Sequence, residues 1–165
     1  EMKAVCLQNA IHNVLLLLEQ SQQIRHVKIV THLPEEFLYI NADDIRIEQV
    51  LLNLCRNALD AMQKNLEWAC LEIQLERMQE NKICLSIADN GTGIPPDILP
   101  HIFEPFFTTK ESGYGLGLGL AISQSIMNDY RGEIRIGQRL PQGTIFELHF
   151  ESIAIRHDEA HHSSR

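Results

Sequence analysis

The chain has 165 residues, of which 44% are hydrophobic and 22% charged, and this composition is ordinary for one globular domain with a sizeable core. The formal net charge of −8 argues against a nucleic-acid-binding protein. The longest apolar run, Val14 to Leu18, is far too short to span a membrane. Because the sequence begins at Glu1 without a signal peptide, we interpret it as a piece of a longer protein.

The first half of the chain predicts two helices with two short strands between them. Hydrophobic periodicity gives a helix over 2–20, strands over 27–30 and 38–40, and a long helix over 43–64. Asp43 or Asp44 is expected to cap the long helix. Its apolar side chains share one face: Ile47, Val50, Leu51, Leu54, Ala58 and Met62.

The second half predicts a hairpin, a long loop, a helix and a strand pair. Alternating patterns give strands over 69–78 and 82–88, a helix over about 118–129, and strands near 132–137 and 144–151. The segment between 90 and 117 is rich in Gly, Pro and Thr, and a loop of this length is usually functional. These elements predict an α+β fold of two layers.

Four cysteines lie far apart inside apolar patterns, and no pair has CxxC spacing: Cys6, Cys55, Cys70 and Cys84. We expect small buried side chains in a reducing compartment, not a disulfide or a metal set.

The polar face of the 43–64 helix carries Gln49, Asn53, Asn57 and Asp60 at intervals of four, four and three residues. A solvated outer face is the ordinary interpretation of such a stripe. It would favour Glu and Lys, however, since asparagine is a poor helix former. Side-chain carbonyl oxygens suit a hard cation such as Mg²⁺, which takes further ligands from phosphates and water. Counted together with the two glycine clusters described next, the stripe indicates a ligand role for Asn57.

Two glycine clusters follow, at 89–95 and 115–120. Glycine lets main-chain N–H groups approach a ligand closely. The second cluster runs into an apolar helical pattern, an arrangement in which phosphate oxygens accept hydrogen bonds from a helix N-terminus. With the carboxylate of Asp89 at the first cluster, the pair indicates a nucleotide held at both ends.

In this order the segments resemble the catalytic and ATP-binding domain of bacterial two-component sensor histidine kinases, within the superfamily of gyrase, chaperone and mismatch-repair ATPases. The resemblance covers roughly residues 5–150. It rests on five boxes: an asparagine box at 49–61, a glycine box at 89–93, a phenylalanine box at 102–110, a second glycine box at 115–120, and a glycine–threonine strand at 143–146. The residue sequences of these boxes are most similar to those of the nitrogen-regulatory and dicarboxylate-sensing kinases.

The resemblance implies a two-layer sandwich with a mixed, mostly antiparallel five-stranded sheet covered on one face by about three helices, the Bergerat ATP-binding fold. It implies a catalytic domain over 1–152 with a lid at about 95–117, followed by a disordered tail over 153–165. It also implies that the domain binds ATP and Mg²⁺ and transfers the γ-phosphate to a histidine on a separate dimerisation and phosphoacceptor domain.

The same resemblance assigns roles to single residues. Asp89 accepts a hydrogen bond from the adenine amino group with Thr144 nearby, and the loop that contains Gly91, Gly93 and Ile94 passes close to the base. Asn57 binds Mg²⁺, Asn53 lies close to the metal or the phosphates, and Lys110 neutralises the outer phosphates from the lid, so that Asn57 and Lys110 are the catalytic candidates. The segment that meets the phosphates comprises Gly115, Leu116, Gly117, Leu118, Gly119 and Leu120.

Two departures from the family matter. No histidine here has a phosphoacceptor context, so the acceptor and dimerisation helices are expected upstream, and Leu116 stands where many relatives have threonine.

Hydrolytic relatives carry a glutamate base one turn before the metal-binding asparagine. Asn53 occupies that place and cannot accept the proton, and Glu48 is rotated away, so transfer is favoured over hydrolysis.

Two alternatives stay open: a nucleotide-binding sensing or interaction module without transferase activity, and an ATP-hydrolysing member of the same superfamily. The expected partners are a response regulator and, in the full-length protein, a second copy in a homodimer. The expected location is the cytoplasmic domain of an inner-membrane sensor, attached to the membrane only through upstream segments.

Overall fold

The computed structural model describes residues 1–107 and 119–155. The helices are α1 (Leu7–Glu19), α2 (Asp44–Met62) and α3 (Gly119–Asp129). The strands are β1 (Lys3–Cys6), β2 (Lys28–His32), β3 (Tyr39–Ala42), β4 (Cys70–Gln79), β5 (Lys82–Asp89), β6 (Glu133–Gln138) and β7 (Thr144–Glu151). Single 3₁₀ turns lie at Gln22–Ile24, Leu66–Trp68 and Leu99–His101.

Five strands form the main sheet, in the order β2-β4-β5-β7-β6. Strand β2 runs parallel to β4, and the other neighbours are antiparallel. Helix α2 packs on β4 and β5, α3 packs on α2 and β6, and α1 packs on α2. The predicted two-layer α+β sandwich with a mixed, mostly antiparallel sheet and three helices is confirmed.

The hydrophobic core lies between the helices and one face of the sheet. Along β7 the residues Phe146, Leu148 and Phe150 are buried, and the residues between them are only half-buried. Because successive side chains of a strand point to opposite faces, this alternation separates a core face from an outer face. The predicted apolar face of α2 is buried throughout.

The predicted helix over 2–20 is wrong at its start. Residues Lys3–Cys6 form a strand that pairs antiparallel with Tyr39–Ala42, in a two-stranded sheet apart from the main one. The helix begins only at Leu7, and its N-cap residue Cys6 makes no side-chain cap hydrogen bond. The start therefore carries no local capping signal, and the pairing with β3 comes from more than thirty residues away.

Hydrogen bonds at the start of α2 and after the end of β7 bear on two of the sequence predictions. Asp43 caps α2, since its carboxylate accepts a hydrogen bond from the Ile45 N–H at 2.9 Å, as predicted. After β7, Ser152 N–H donates to Asn81 and Ile153 N–H to Tyr39, each at 2.9 Å. The domain boundary at 152 stays a prediction, and most of the predicted tail lies outside the described residues. No helix within the described ranges is long and apolar enough to cross a membrane.

Candidate functional site

The candidate site follows the polar face of α2, on which Asn53, Asn57 and Ala61 occupy successive turns. At a rise of about 1.5 Å per residue, these three positions span about 12 Å along the helix. The end of β5 meets the helix at Ala61, and the start of α3 meets it at Asn53. Asn57 lies between these two contacts.

Main-chain packing fixes the Ala61 end. The Thr92 N–H donates to the Ala61 carbonyl oxygen at 3.3 Å. Gly91 is buried, and a Cβ built on it would overlap the main chain of Ala61. The first glycine cluster therefore needs Gly91 in order to reach α2, a packing reason that the sequence analysis did not supply.

Asp89 ends β5 and is only 2% exposed. Its Oδ1 accepts the Gly91 N–H at 2.9 Å, and in the sheet it pairs with Thr144, which is 4% exposed. Burial raises the pKa of Asp89, although the N–H groups of Gly91 and Thr144 and the charge of Arg139 act in the opposite direction. A buried carboxylate with a raised pKa gains from any further hydrogen-bond donor that a ligand brings.

Two glycines with positive φ border Asp89. Gly93 has φ +76° and Gly143 has φ +126°, and a Cβ on Gly143 would overlap the Asp89 carbonyl oxygen. Beside them lies an open cleft of about 250 Å³, lined by residues 92–95 and 138–143. Ile94 belongs to this lining, and its half-buried side chain also packs against the core.

Hydrogen bonds of the Asn53 side chain hold the Asn53 end of the site together. The Asn53 Nδ2 donates to the Gly119 carbonyl oxygen and to the Ser123 Oγ, at 3.4 Å each. Leu120 packs partly against the core, so its main chain is what remains for a ligand. The predicted neighbours Asn53, Gly119 and Leu120 therefore do come together at the start of α3.

The polar stripe of α2 does not act as one unit. Gln49 is exposed, and Asp60 accepts a hydrogen bond from Gln23 Nε2 at 3.0 Å, which ties α2 to the turn after α1. Asn57 is half-buried, and no residue of 1–107 or 119–155 hydrogen bonds to its side chain. Of the four, Asn57 is the half-buried side chain that the described residues leave available to a ligand.

Lys110, Gly115, Leu116, Gly117 and Leu118 lie outside the described residues. Of the predicted lid, residues 95–107 form turns around a single 3₁₀ turn. Ile102, buried to 7% exposure, is the apolar side chain that holds this segment down.

The sequence analysis missed three polar side chains around the site. Ser123 is fully buried beneath Asn53 and was read only as part of an apolar helix pattern. Asn90 accepts the Cys70 N–H at 2.9 Å and donates to the Trp68 carbonyl oxygen, so it fixes the start of β4, a role that its turn-forming residue type could have suggested. Arg139 pairs with Glu72 at 2.6 Å, and no local pattern indicates this contact.

The position of Glu48 bears on the hydrolytic alternative. Its Oε1 accepts a hydrogen bond from Asn13 Nδ2 of α1 at 2.8 Å. It therefore lies toward α1, away from the α3 side at which Asn53 is bonded. This agrees with the expectation that Glu48 is rotated away from the metal-binding asparagine.

Comparison with known proteins gives the same picture. The family model described as "Histidine kinase-, DNA gyrase B-, and HSP90-like ATPase" matches residues 42–153. The chain is 34% identical over 145 residues to the C4-dicarboxylate transport sensor protein DctB of Pseudomonas aeruginosa. The aligned region covers 88% of this chain and 24% of DctB. The chain thus spans about a quarter of the length of this curated relative, and the predicted likeness to dicarboxylate-sensing kinases is confirmed.

Solved structures agree with the fold. The catalytic domain of the histidine kinase ThkA, in a nucleotide-free form, is similar with a TM-score of 0.79 and 32% identity, over 92% of this chain and 97% of that one. The histidine kinase ThkA in complex with the response regulator protein TrrA is similar with a TM-score of 0.74 and 29% identity, over 92% of this chain and 42% of that one. Together with the match over 42–153, these likenesses show that the chain belongs to the family of histidine kinase-, DNA gyrase B- and HSP90-like ATPases, as a domain of the sensor histidine kinase type.

Proposed function

We propose that this domain binds ATP together with Mg²⁺ and transfers the γ-phosphate to a histidine on a separate dimerisation and phosphoacceptor domain. The observation that carries the proposal is the arrangement along α2. A buried carboxylate, Asp89, is held near Ala61 at one end, and the start of α3 is held at Asn53 at the other. Asn57 lies between them, and its side chain has no hydrogen-bond partner among the residues that the structure describes.

The residues of the Ala61 end suit the adenine base. Asp89 is a buried hydrogen-bond acceptor, and the exocyclic amino group of adenine is a donor. The hydrogen bond offsets part of the cost of burying the carboxylate. Gly93, Ile94 and Thr144 border the same place. We propose them, with Gly91 as the residue that permits the loop to reach α2, as the base-binding set.

The residues of the Asn53 end suit Mg²⁺ and phosphates. The Asn57 side chain offers a carbonyl oxygen, a ligand type that Mg²⁺ accepts while it keeps waters and phosphate oxygens as its other ligands. When bound, the cation supplies positive charge that neutralises the phosphates. Gly119 and Leu120 open α3, where N–H groups of the first turn have no helical partner. We also assign Lys110 and residues 115–118, which precede α3 in the chain, to the proposed phosphate-binding set.

Asn53 favours transfer over hydrolysis. A hydrolytic member needs a carboxylate that accepts the proton of the attacking water. The amide of Asn53 cannot do this, and it is engaged with Gly119 and Ser123 instead. Catalysis would then consist of positioning and charge stabilisation for an acceptor brought by another domain.

The partners follow from the family. ThkA was solved in complex with a response regulator protein. We propose that the full-length form of this protein passes its phosphoryl group to a response regulator. We propose further that the full-length protein is a homodimer and that this domain is the cytoplasmic part of an inner-membrane sensor, since a relative is named as a sensor protein.

The experiment is incubation of the chain with Mg²⁺ and γ-labelled ATP, alone and with the dimerisation and phosphoacceptor domain of the same protein. We expect label on the added domain only, lost in acid and stable in base as a phosphohistidine is, and no appreciable phosphate release by the chain alone. Asn57→Ala serves as the control, since it should bind too little Mg²⁺-ATP to transfer. Rapid phosphate release from the chain alone, abolished by Asn57→Ala, would contradict the proposal and favour the hydrolytic alternative.

A further inference from the structure

On the outer face of the sheet, away from the proposed nucleotide site, three side chains with metal-binding chemistry converge. Cys84 lies on β5 directly opposite His149 of β7, and Glu147 is the next residue of β7 on the same face. Within the described ranges, this is the one group of three His, Cys, Asp or Glu side chains whose ligand atoms all lie within 4.8 Å of one another.

The distances between the three ligand atoms match those of a tetrahedral site. The Glu147 Oε2 lies 3.3 Å from the His149 Nε2 and 3.4 Å from the Cys84 Sγ, and the Cys84 Sγ lies 3.9 Å from the His149 Nε2. With metal–ligand bonds of about 2.0–2.3 Å, tetrahedral angles place such atoms about 3.4–3.6 Å apart. A cation would require movements of a few tenths of an ångström, within the reach of rotamer adjustments.

We propose that Cys84, Glu147 and His149 bind a divalent cation of the Zn²⁺ class, with the fourth position open to water. The ligand set of one thiolate, one imidazole and one carboxylate suits this borderline-soft ion, whereas Mg²⁺ and Ca²⁺ prefer oxygen ligands alone. The sequence expectation that the cysteines form no metal set considered only pairs of cysteines. It could not detect ligands that strand pairing brings together from 63 and 65 residues apart.

Burial and charge favour a cation at this place. The side chain of His149 is 22% exposed and that of Glu147 is 40% exposed, so an ion has an entry path, while Cys84 at 5% is almost covered. Glu76 lies opposite Cys84 in the sheet, and Glu133 lies opposite His149. Arg135, opposite Glu147, is paired with Glu133 at 3.1 Å. The neighbourhood therefore carries more negative than positive charge.

The cation would cross-link the two strands that carry the proposed base-binding residues. Cys84 is on β5, which ends at Asp89, and both other ligands are on β7, which begins at Thr144. An ion that binds the folded domain and not the unfolded chain raises the melting temperature. Without the ion, the Cys84 thiol donates to Glu147, and burial raises its pKa to about 12, so binding must release the thiol proton to the solvent.

The test is a titration of the chain with Co²⁺ in excess Mg²⁺, because four-coordinate Co²⁺ with a thiolate ligand shows a sulfur-to-metal charge-transfer band. We expect one equivalent to bind with this band and Zn²⁺ to displace it. Cys84→Ser should abolish the band, and His149→Gln should weaken binding by at least about tenfold, the scale on which even outer partners of a metal act. Zn²⁺ should raise the melting temperature of the wild type and not of Cys84→Ser.

Cys70→Ser is the matched control, because Cys70 is a half-buried cysteine on the neighbouring strand β4 and should leave the band unchanged. Histidines 161 and 162 at the end of the chain can bind metal without a thiolate, so binding without the band overturns the proposal. A band that survives Cys84→Ser, or one that Cys70→Ser removes, overturns it as well. If Cys84→Ser fails to fold by circular dichroism, an unchanged affinity in His149→Gln is decisive against the site.

Discussion

At the Ala61 end of α2 the proposed nucleotide site is held mainly by close main-chain packing, whereas at the Asn53 end it is held by hydrogen bonds of the Asn53 side chain. We call the first the base end (Ala61, Asp89, Gly91, Gly143 and Thr144) and the second the phosphate end (Asn53, Asn57, Gly119, Leu120 and Ser123). The base end is closely packed, since a Cβ on Gly91 or Gly143 would overlap backbone. The phosphate end has two long hydrogen bonds of 3.4 Å. Within 1–107 and 119–155, no residue hydrogen bonds to the Asn57 side chain there.

Because of this difference in packing, the two ends should contribute differently to folding stability and to ligand binding. Backbone that cannot accommodate a methyl group resists displacement, so the base end is already in place before a ligand arrives. Long hydrogen bonds near the limit of the accepted range contribute little. We therefore expect substitutions at the base end to affect folding as well as binding, and substitutions at the phosphate end to affect mainly binding.

The largest effect is expected for Gly143→Ala. A Cβ would overlap the Asp89 carbonyl oxygen, and the φ of +126° is strained for alanine. Strain and overpacking together should lower the free energy of unfolding by about 3 kcal/mol or more. Urea unfolding followed by circular dichroism measures this. Gly137→Ala in β6 is the matched control, because nothing lies within 4 Å of its added Cβ, and an equal loss there would contradict the packing argument.

Asp89→Asn should separate the two properties of the base end. We expect ATP affinity to fall by about 1–3 kcal/mol, the range for a hydrogen bond to a charged group. Calorimetric titration with Mg²⁺-ATP measures this loss. An unchanged affinity in the folded variant would remove Asp89 from the site.

The same variant has a pH signature. Because the pKa of Asp89 is raised by burial, its contribution to stability is fully present below its ordinary pKa and is lost as pH rises through the raised value. Asparagine does not titrate. The free energy of unfolding of Asp89→Asn, relative to the wild type, should therefore increase from acidic to neutral pH. A difference that decreases over this range would show that Asp89 is stabilised as a carboxylate.

Asn57→Ala should weaken Mg²⁺-ATP binding by at least about tenfold, on the scale of one lost charged interaction. It should change the free energy of unfolding by less than about 0.5 kcal/mol, because no described residue bonds to its side chain. Titrations with and without Mg²⁺, beside thermal melts, measure both. Gln49→Ala, exposed on the same helix face, is the control and should bind as the wild type does.

The smallest effect is expected for the contact between Asn53 and Ser123. A double-mutant cycle with Asn53→Ala and Ser123→Ala should give a coupling of about 0.5 kcal/mol in urea unfolding, since their hydrogen bond is long. A coupling above about 2 kcal/mol would show a tightly built phosphate end and remove the contrast with the base end.

The sequence predicts the helices and strands that have a regular hydrophobic periodicity. It does not predict the contacts between residues that are far apart in the chain. Helix α2 and the β4–β5 hairpin were placed correctly because their periodicities run over several turns or alternations. The sequence predicts helix where strand β1 lies, because the partner of β1, strand β3, is far along the chain. The roles of Asp89 and Asn57 came from residue type and order. The packing of Gly91 on Ala61 and the Asn53–Ser123 contact required the relative placement of three elements.

We infer that the base end is formed before ligand binds and that the phosphate end is completed by the ligand. Amide hydrogen exchange, with and without a non-hydrolysable ATP analogue and Mg²⁺, is the most direct test. Exchange reports the free energy of local opening. We expect the amides of 91–92 to be protected from exchange already without ligand, and their exchange rates to change little when ligand binds. The first turn of α3, from Gly119 to Ser123, should gain strong protection only when both nucleotide and Mg²⁺ are present. Exchange that slows equally at both ends, or slows without Mg²⁺ at α3, would contradict it.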